Sequence, residues 1–549
     1  MQLRRSNVTQ TVAELTVGSL ISNGVDTLYC LPGVQLDPFL DACYDTRDRL
    51  RIIHTRHEQG AAYMATGAQV ATGRPQAYCV VPGAGFLNST GALSTAYAIH
   101  SRVLALIGQI PKGTIGKGFG VLHEIPDELG ILARLTKMAS TLGRAEDAAD
   151  TLRSTWRALK SGPPRPVGLE IPVDFWKSDS GFAGELIVTS DPGPAIDEDA
   201  VAEAAKLMRS AKSPLIVVGS GALDVSHDVR RLSAALSAPV VAFRNGQGVM
   251  SADAPLHITM PVAHAIWPKV DLVIGLGSRL QSQIMAWGAD DDLKIIHVTI
   301  DPEEIGRIRN PTVGLCADLR DVLPALLSVL EGREHKRDDW VEAVLAEKTR
   351  VNATISEKLA AQLAWLQAIR AELPRNGILV DEITQMGYVS RFGFPSYLPR
   401  TVVTPGYQAT LGYGYATALG VADARRDVPV VNFCGDGGIM FTLNEMATAV
   451  LHEIPLTTVV FSDGHFGNVR GLQRDHYQGR FIANDLANPD FVRYAEAFGA
   501  QGLRATTPDE LRARLREGMA HAGPTLIEVP VGEFNSPWEF VLMPRNRGP

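Results

Sequence analysis

GDGGIMFTLNEMATAVLHEIPLTTVVFSDGHFGN, residues 435–468, is the stretch from which the rest of the chain is read. An apolar run, VPVVNFC, leads into the acidic tip Gly435-Asp436-Gly437. A helix-like segment follows, then a second apolar run, PLTTVVFS, that ends at Asp463. The pattern is strand, tight turn, helix, strand. In a right-handed βαβ unit the two strands lie parallel, so their carboxyl ends meet at one edge. Asp436 and Asp463 then face a single cation. Glycines at 435, 437 and 438 let backbone N–H groups approach an anion closely, and the helix that follows presents its positive end. Two hard oxygen ligands beside an anion cradle suit Mg²⁺ holding a diphosphate. The competing reading is a plain helix start with acidic capping residues. GDG alone would fit it; the spaced SDGHFG argues against it.

The 549 residues are enough for about three domains. Hydrophobic residues make up 45% and charged residues 20%, the balance of a soluble globular chain. The net charge of −8 and the lack of a basic run disfavour nucleic-acid binding. Five scattered cysteines form no CxxC pair and read as reduced, mostly buried thiols of a cytoplasmic protein. The N-terminus has no apolar signal core, and no stretch approaches the ~18 apolar residues that span a bilayer. Up to about residue 185, helical patterns alternate with short apolar runs such as QAYCVVPG and RVLALIGQ, a parallel-sheet rhythm. SDSGFAGELIVTSDPGPAIDED (178–199) reads as a linker. A second α/β segment follows, and EGREHKRDDW (331–340) reads as another solvated link. The third segment, from about 360, holds the opening motif. The first and third segments are candidate structural cousins, although their sequences show no convincing repeat.

The GDG…SDGHFG pair resembles the cofactor signature of thiamine diphosphate (ThDP) enzymes, in which an Asn-type metal ligand follows GDG at a set distance. Over essentially its whole length the chain is similar to the acetolactate synthase, benzoylformate decarboxylase and benzaldehyde lyase branch. The resemblance implies an α/β fold of three domains, each a mostly parallel sheet flanked by helices: pyrimidine-binding (1–185), central (190–340) and diphosphate-binding (355–549). It implies that Asp436, Asp463 and the backbone carbonyl of His465 ligate Mg²⁺, with Gly435, Gly437, Gly438, His465, Phe466 and Gly467 around the cofactor. The family usually has Asn where this chain has Asp463, and the added negative charge beside the diphosphate works against cofactor affinity.

Thiamine chemistry needs a carbanion at the thiazolium C2, which the cofactor's own aminopyrimidine generates once a carboxylic group hydrogen-bonds N1′. One buried acid must reach that ring, and burial raises its pKa and favours proton sharing. RIIHTRHEQGAAYMATGAQVATG (51–73) looks like the RHEQGA…ATG signature, which places this role on Glu58. The alternative is a helix-start acid favoured by the macrodipole. His54 and His57 read as structural. In the resembled family the cofactor bridges the first domain of one subunit and the third of another, implying a homodimer or a dimer of dimers (a homotetramer).

TPGYQATLGYGYATALG (404–420) is a Gly-rich turn entering a small-residue helix. Its family counterpart makes Leu411 the wedge between the cofactor rings and the Ala409 carbonyl an acceptor for the 4′-amino group. Thr384, in VDEITQ (380–385), resembles a residue touching the diphosphate from the other side; a solvent-facing turn Thr fits nearly as well. LPGVQ (31–35) and PGAGFLNS (82–89) are similar to pocket-lining loops, placing Val34, Gln35 and Phe86 in the wall. His123, in a third loop, aligns with active-site positions of two branches and is suited to shuttling protons near neutrality. Glu58, His123 and Gln35 form the catalytic set. After the metal motif, Asn468 and Leu472 replace the Met and Trp of acetolactate synthases (GNVRGLQ for GMVxQWQ), which leaves room for a larger donor or acceptor. Arg470 reads as an ion-pair residue or a carboxylate anchor. Trp538 and Phe540 read as a C-terminal lid lining the pocket, or as interface packing.

The expected activity is a ThDP- and Mg²⁺-dependent 2-oxo acid decarboxylase or carboligase acting beside a carbonyl. Two alternatives stand beside it: an acyloin or 2-hydroxyacyl-CoA lyase without net decarboxylation, and a flavin-dependent oxidoreductase using the central domain. The last rests on VVGSGALD (217–224), which lacks a full GxGxxG. Some relatives bind FAD there, but this sequence does not indicate it. A relative that has lost catalysis is the remaining option; retained Glu58 and Asp436 argue against it.

Overall fold

The apolar runs fold as three six-stranded sheets in which every pair is parallel. The computed structural model describes residues 9–331 and 336–548. The first sheet holds β1 (Thr27–Cys30), β2 (Arg51–His54), β3 (Gln76–Val80), β4 (Val103–Gln109), β5 (Met138–Thr141) and β6 (Val167–Pro172). Its order is β2-β1-β3-β4-β6-β5. The second holds β7 (Pro214–Val218), β8 (Val240–Ala242), β9 (His257–Ile258), β10 (Leu272–Leu276), β11 (Lys294–Thr299) and β12 (Val313–Cys316), ordered β12-β11-β10-β7-β8-β9. The third holds β13 (Ile378–Val380), β14 (Val402–Val403), β15 (Val430–Gly435), β16 (Leu456–Ser462), β17 (Gln501–Arg504) and β18 (Thr525–Pro530), ordered β14-β13-β15-β16-β18-β17. Helices cover both faces, so central strands such as β3, β4 and β7 are buried along their whole length, and this is why they read as unbroken apolar runs.

The first and third sheets share one strand order, a kinship invisible in the sequence. Their lobes also share one core, in which Tyr63 and Phe86 pack with Tyr413 and Leu419. The contact is made by two small-residue helices, Glu58–Thr72 and Tyr413–Ala424. It is reciprocal: a Cβ on Gly67 would lie 2.1 Å from the Thr417 carbonyl oxygen, and one on Gly420 would lie 2.0 Å from the Met64 carbonyl oxygen. Each glycine sits three residues after the residue its counterpart touches. Backbones this close leave no room for a side chain.

Both expected linkers are shorter than the sequence suggested. Residues 178–188 dock on the first lobe: the Ser178 carbonyl accepts from Val12 N, and Leu186 and Val188 are buried in that lobe's core. The charge-rich stretch 331–340 lies partly outside the described residues, at 332–335. Beyond these it is no link. Arg337 donates to the carbonyls of Ala211, Met208 and Leu236, and Trp340 is buried in the 21-residue helix Asp338–Lys358. Arg337 thus fills a polar gap, while Glu331, Lys336, Asp338 and Asp339 stay exposed.

Glu128 fixes the turn after β3. Its carboxylate accepts from Gly83 N at 2.5 Å and from Gln109 Nε2 at 3.0 Å. Burial pushes it up from 4.5 to about 8, against the pull of the Gly83 N–H.

Two predictions follow from this packing. Gly420→Val should destabilise the chain by about 1–3 kcal/mol through overpacking, read as a lower urea midpoint; an unchanged midpoint would show that the helices part freely. For Glu128, the folded chain holds a proton that the unfolded chain releases from about pH 4.5 upward. Stability therefore falls as pH rises from about 4.5 to about 8. Glu128→Gln should remove that share of the decline, so the gap between midpoints measured at the two ends of the window narrows.

Candidate cofactor site at two sheet edges

In open parallel sheets, ligands sit beyond the carboxyl ends of the strands, where the strand order reverses. In the third sheet the reversal lies between β13 and β15. Asp381 and Glu382 leave the end of β13, and Asp436 follows β15 directly. The register sets Gly435 opposite Phe461 on β16, which brings Asp436 level with Ser462, one residue before Asp463. Asp436 is 3% exposed and accepts from Gly437 N, Gly464 N and Asn488 Nδ2 at 2.9, 2.8 and 2.7 Å. Asp463 accepts from His465 N at 2.9 Å. Burial pushes the Asp463 carboxyl up, and the charge of Asp436 adds to this against the His465 N–H. A cation held by both acids would relieve both effects. Among the described residues no cluster of three or more His, Cys, Asp or Glu is suited to a metal. A cation here would therefore take its further oxygens from backbone carbonyls and from the ligand it anchors.

The glycines beside these acids are packed closely. A Cβ on Gly437 would lie 2.7 Å from the Phe466 ring, one on Gly438 2.7 Å from Glu382 Oε1, and one on Gly435 3.1 Å from Thr384 Cγ2. Thr384 thus stands beside the turn, and its hydroxyl also caps the helix Gln385–Gly393 by accepting from Gly387 N. The His465 ring is engaged by the Asp463 carbonyl at 2.6 Å and lies 3.4 Å from the Asp485 carboxylate. Phe466 N donates to the Asn484 carbonyl, and Gly467 opens the helix Gly467–His476. In the neighbouring turn Ala409 is exposed with φ +51°, Leu411 is half-buried, and Gly412 has φ +81°. Gly412 is held from both sides: its N–H donates to Glu382 at 2.7 Å, and its carbonyl accepts from Thr442 Oγ1 at 2.9 Å. This acidic, glycine-cradled edge fits a diphosphate and its cation.

A cleft of about 300 Å³ opens beside Asp463, lined by Gln385, His465, Arg470, Phe534 and Trp538. Trp538 packs against Tyr388 in a tilted pair, with ring centroids 4.7 Å apart. Phe540 does not share this place; it is buried against Phe392 in the core, because the C-terminal segment turns inward. Asn468 is half-buried with Oδ1 unpartnered, and Leu472 is exposed. Arg470 is engaged by Asn484 and Asp485 and covers the Phe481 ring, so it serves within its own lobe.

The first lobe gathers a second set at the carboxyl ends of β1 to β4. Glu58 opens its helix, is 7% exposed, and accepts from Asn88 Nδ2 at 3.1 Å. His57 is the helix cap, accepting from Gln59 N, as a structural histidine should. Gln35 is buried and donates to the Leu122 carbonyl, while its Oε1 has no partner. Next to Leu122, His123 has φ +69° and a buried, unpartnered Nδ1. Its carbonyl sits where a Cβ on Gly83 would lie 2.1 Å away. Gln35 and His123 are thus tied to one loop cluster. Val34 stands exposed beside them. Phe86, expected in the pocket wall, is fully buried; its helix turns that face into the shared core.

The glycines of the central fragment VVGSGALD are occupied within the fold. A Cβ on Gly219 would lie 2.2 Å from the Gly277 oxygen, and one on Gly221 2.8 Å from Gly277 Cα. They serve strand-end packing, and the fragment completes no GxGxxG fingerprint for a flavin oxidoreductase. Asn88, Asn488, Glu382 and Glu128 were not anticipated. Asn88 lay within a quoted loop, in the helix Ala84–Ala98 that packs against Glu58's own helix. Asn488 reaches Asp436 from 52 residues away, and no local pattern announces it. Among the described residues no hydrogen bond or ion pair joins Glu58 to Asp436.

Three family models match in order along the chain. They describe the N-terminal TPP binding domain of thiamine pyrophosphate enzymes (residues 10–131), the central domain (201–326) and the C-terminal TPP binding domain (382–529). A probable acetolactate synthase large subunit of Methanocaldococcus jannaschii is 29% identical, over 94% of this chain and 91% of its own. A probable 2-ketoarginine decarboxylase of Pseudomonas aeruginosa is 29% identical, over 95% and 94%. Isozyme 1 of the acetolactate synthase large subunit of Escherichia coli is 28% identical, over 94% and 93%. Glu58 falls within the first match and the Asp436–Asp463 edge within the last, and the chain belongs to the thiamine pyrophosphate enzyme family.

Proposed function

We propose that this chain is a Mg²⁺-dependent ThDP enzyme that takes a 2-oxo acid, releases CO₂, and either protonates the remaining acyl unit or joins it to a second carbonyl compound. The observation that carries the reading is the pair of acids on neighbouring strand ends beside an open glycine turn, inside the segment matched by the C-terminal TPP binding domain. Names of the relatives support the reaction class: acetolactate synthases and a 2-ketoarginine decarboxylase. When bound, ThDP supplies the electron sink that a 2-oxo acid needs to lose CO₂.

The protein's share is binding, orientation and proton handling. Asp436 and Asp463, with the His465 carbonyl, hold the cation. Backbone groups of Gly435, Gly437, Gly438, Phe466 and Gly467, with Thr384, surround the diphosphate. Leu411 and the Ala409 carbonyl set the relation of the two rings. Glu58, steadied by Asn88, meets the pyrimidine N1′. His123 and Gln35 serve the reacting carbon, and Val34, Asn468, Leu472 and Trp538 form the pocket wall. Membership of the thiamine pyrophosphate enzyme family supports a working site that joins the Glu58 side of one copy to the Asp436 edge of another, as a homodimer or dimer of dimers. We place the enzyme in the cytoplasm, in line with the absence among the described residues of any helix long and apolar enough to cross a membrane.

The test is a screen of 2-oxo acids with ThDP and Mg²⁺, with and without aldehyde acceptors, following CO₂ and the organic product. Wild-type protein should release CO₂ from at least one acid. Glu58→Gln should lower turnover at least ~100-fold, the range of a lost acid–base group, while still taking up ThDP in calorimetry. Undiminished turnover in that variant would refute Glu58's role. Cleavage of an acyloin or 2-hydroxyacyl-CoA without CO₂ would move the enzyme to the lyase reading.

A further inference from the structure

Glu445 lies in the third lobe, ten residues after the opening glycine of the GDG turn, yet its side chain is spent on the first lobe. It is wholly buried. Both carboxylate oxygens accept from Arg56 N, at 3.2 and 3.0 Å. Thr448 Oγ1 donates to Oε2 at 2.5 Å and holds the carboxylate from its own lobe. On the other side the carboxylate rests against Gly60, where a Cβ would lie 2.5 Å from Oε1. That close fit requires a glycine at 60.

The segment gripped is the short one from the end of β2 to the helix that Glu58 opens. Its other restraints lie within the first lobe: Thr55 N donates to the Cys30 carbonyl at 2.9 Å, Thr55 Oγ1 donates to the His57 carbonyl at 2.8 Å, and His57 Nδ1 accepts from Gln59 N at 3.1 Å. Glu445 ties this entry to the opposite lobe, through the hydrogen bonds from Arg56 N before Glu58 and the contact with Gly60 after it. The acid also faces the positive end of the Glu58 helix, where a negative charge is favoured. Burial raises the Glu445 carboxyl, while the Thr448 hydroxyl and the N–H groups of Arg56 and His57 draw it down. Buried charge-assisted hydrogen bonds are strong and directional, so such a grip fixes an entry angle rather than merely adding stability.

We propose that Glu445 is a positioning residue for the activating acid: from the third lobe it clamps the Arg56–Gly60 turn and so sets where Glu58 stands. The inference rests on the ThDP reading above and extends it to a residue that touches neither cofactor nor substrate. A displacement of about 1 Å in a catalytic group is enough to lower rates ~100-fold, so partial loosening should show as a rate effect with little change in binding.

Two volume-conserving variants test it. In Glu445→Gln one acceptor oxygen becomes an NH₂ that faces the Arg56 N–H. In Thr448→Val the hydroxyl that orients the carboxylate is gone. Each is loaded with ThDP and Mg²⁺, and deuterium exchange at C2 of the bound cofactor is followed by NMR without substrate, with ThDP affinity taken from calorimetry. Glu445→Gln should slow exchange about 10-fold and Thr448→Val about 3-fold, intermediate losses on the scale of catalytic misplacement. ThDP affinity and the KM for the 2-oxo acid should stay near wild type. Exchange at the wild-type rate in a folded Glu445→Gln would overturn the proposal; so would exchange lost only in step with ThDP affinity. Should that variant not fold, Thr448→Val decides by the same criteria. Wild-type protein that takes up no ThDP would instead sink the functional reading on which the proposal stands.

Discussion

A carboxylate can be kept from water only if donors or a cation meet it. The two lobes of this chain are organised by that requirement. Parallel pairing of β15 and β16 at one register forces Asp436 and Asp463 to the same edge. Asp436 is satisfied by two backbone N–H groups of neighbouring turns and by the Asn488 amide, so those turns are drawn around it. Glu382, buried beneath, takes the Gly412 N–H and draws in the loop that bears Leu411. Burial lifts Glu382 to about 7, against the pull of Cys434 and the Gly412 and Gly414 N–H groups. The glycines at 435, 437 and 438 are the geometric consequence, since any side chain there would strike Thr384, Phe466 or Glu382.

The same device joins the lobes. Two helices of small residues meet backbone to backbone at Gly67 and Gly420, and this brings the lip of the third lobe against the first. Asp423, buried at that seam, accepts from Arg51 at 2.7 Å and Arg426 at 3.0 Å. Glu445 reaches Arg56 across it. The turn that bears Glu58 is thus mechanically tied to the segment that follows the GDG turn.

What the sequence made legible was local. The strand–turn–helix–strand reading of 435–468 needed only periodicity, glycines and two acids, and the sheets form where the apolar runs stand. The entry at Glu58 and the small-residue helix after Leu411 were readable for the same reason. The kinship of the first and third lobes was not, because a sheet order is a property of pairing and leaves no residue pattern. Phe86 was misplaced because a pocket wall and a core face look alike on a helix without its neighbours. Residues 178–188 read as linker from their Gly and Ser content, while Leu186 and Val188 carry the docking. Asn88, Asn488 and Glu445 act through partners 30 to 389 residues away, and only the fold supplies those.

The relatives named for carboligation and for decarboxylation are equally distant, each 29% identical for the two first compared. Global likeness therefore cannot choose the reaction; the few side chains facing the reacting carbon must. Near the proposed site four polar atoms stand buried without partners: Gln35 Oε1 and His123 Nδ1 in the first lobe, Gln385 Oε1 and Asn468 Oδ1 in the third. A buried polar atom without a partner is costly and is tolerated where a ligand supplies the missing bond. Arg470 and Arg474, the cations nearest the cleft, are already bound to Asp485, Asp475 and Glu533. In the proposed reading the cleft thus offers a substrate neutral hydrogen-bonding groups and an indole, beside two arginines that are already ion-paired.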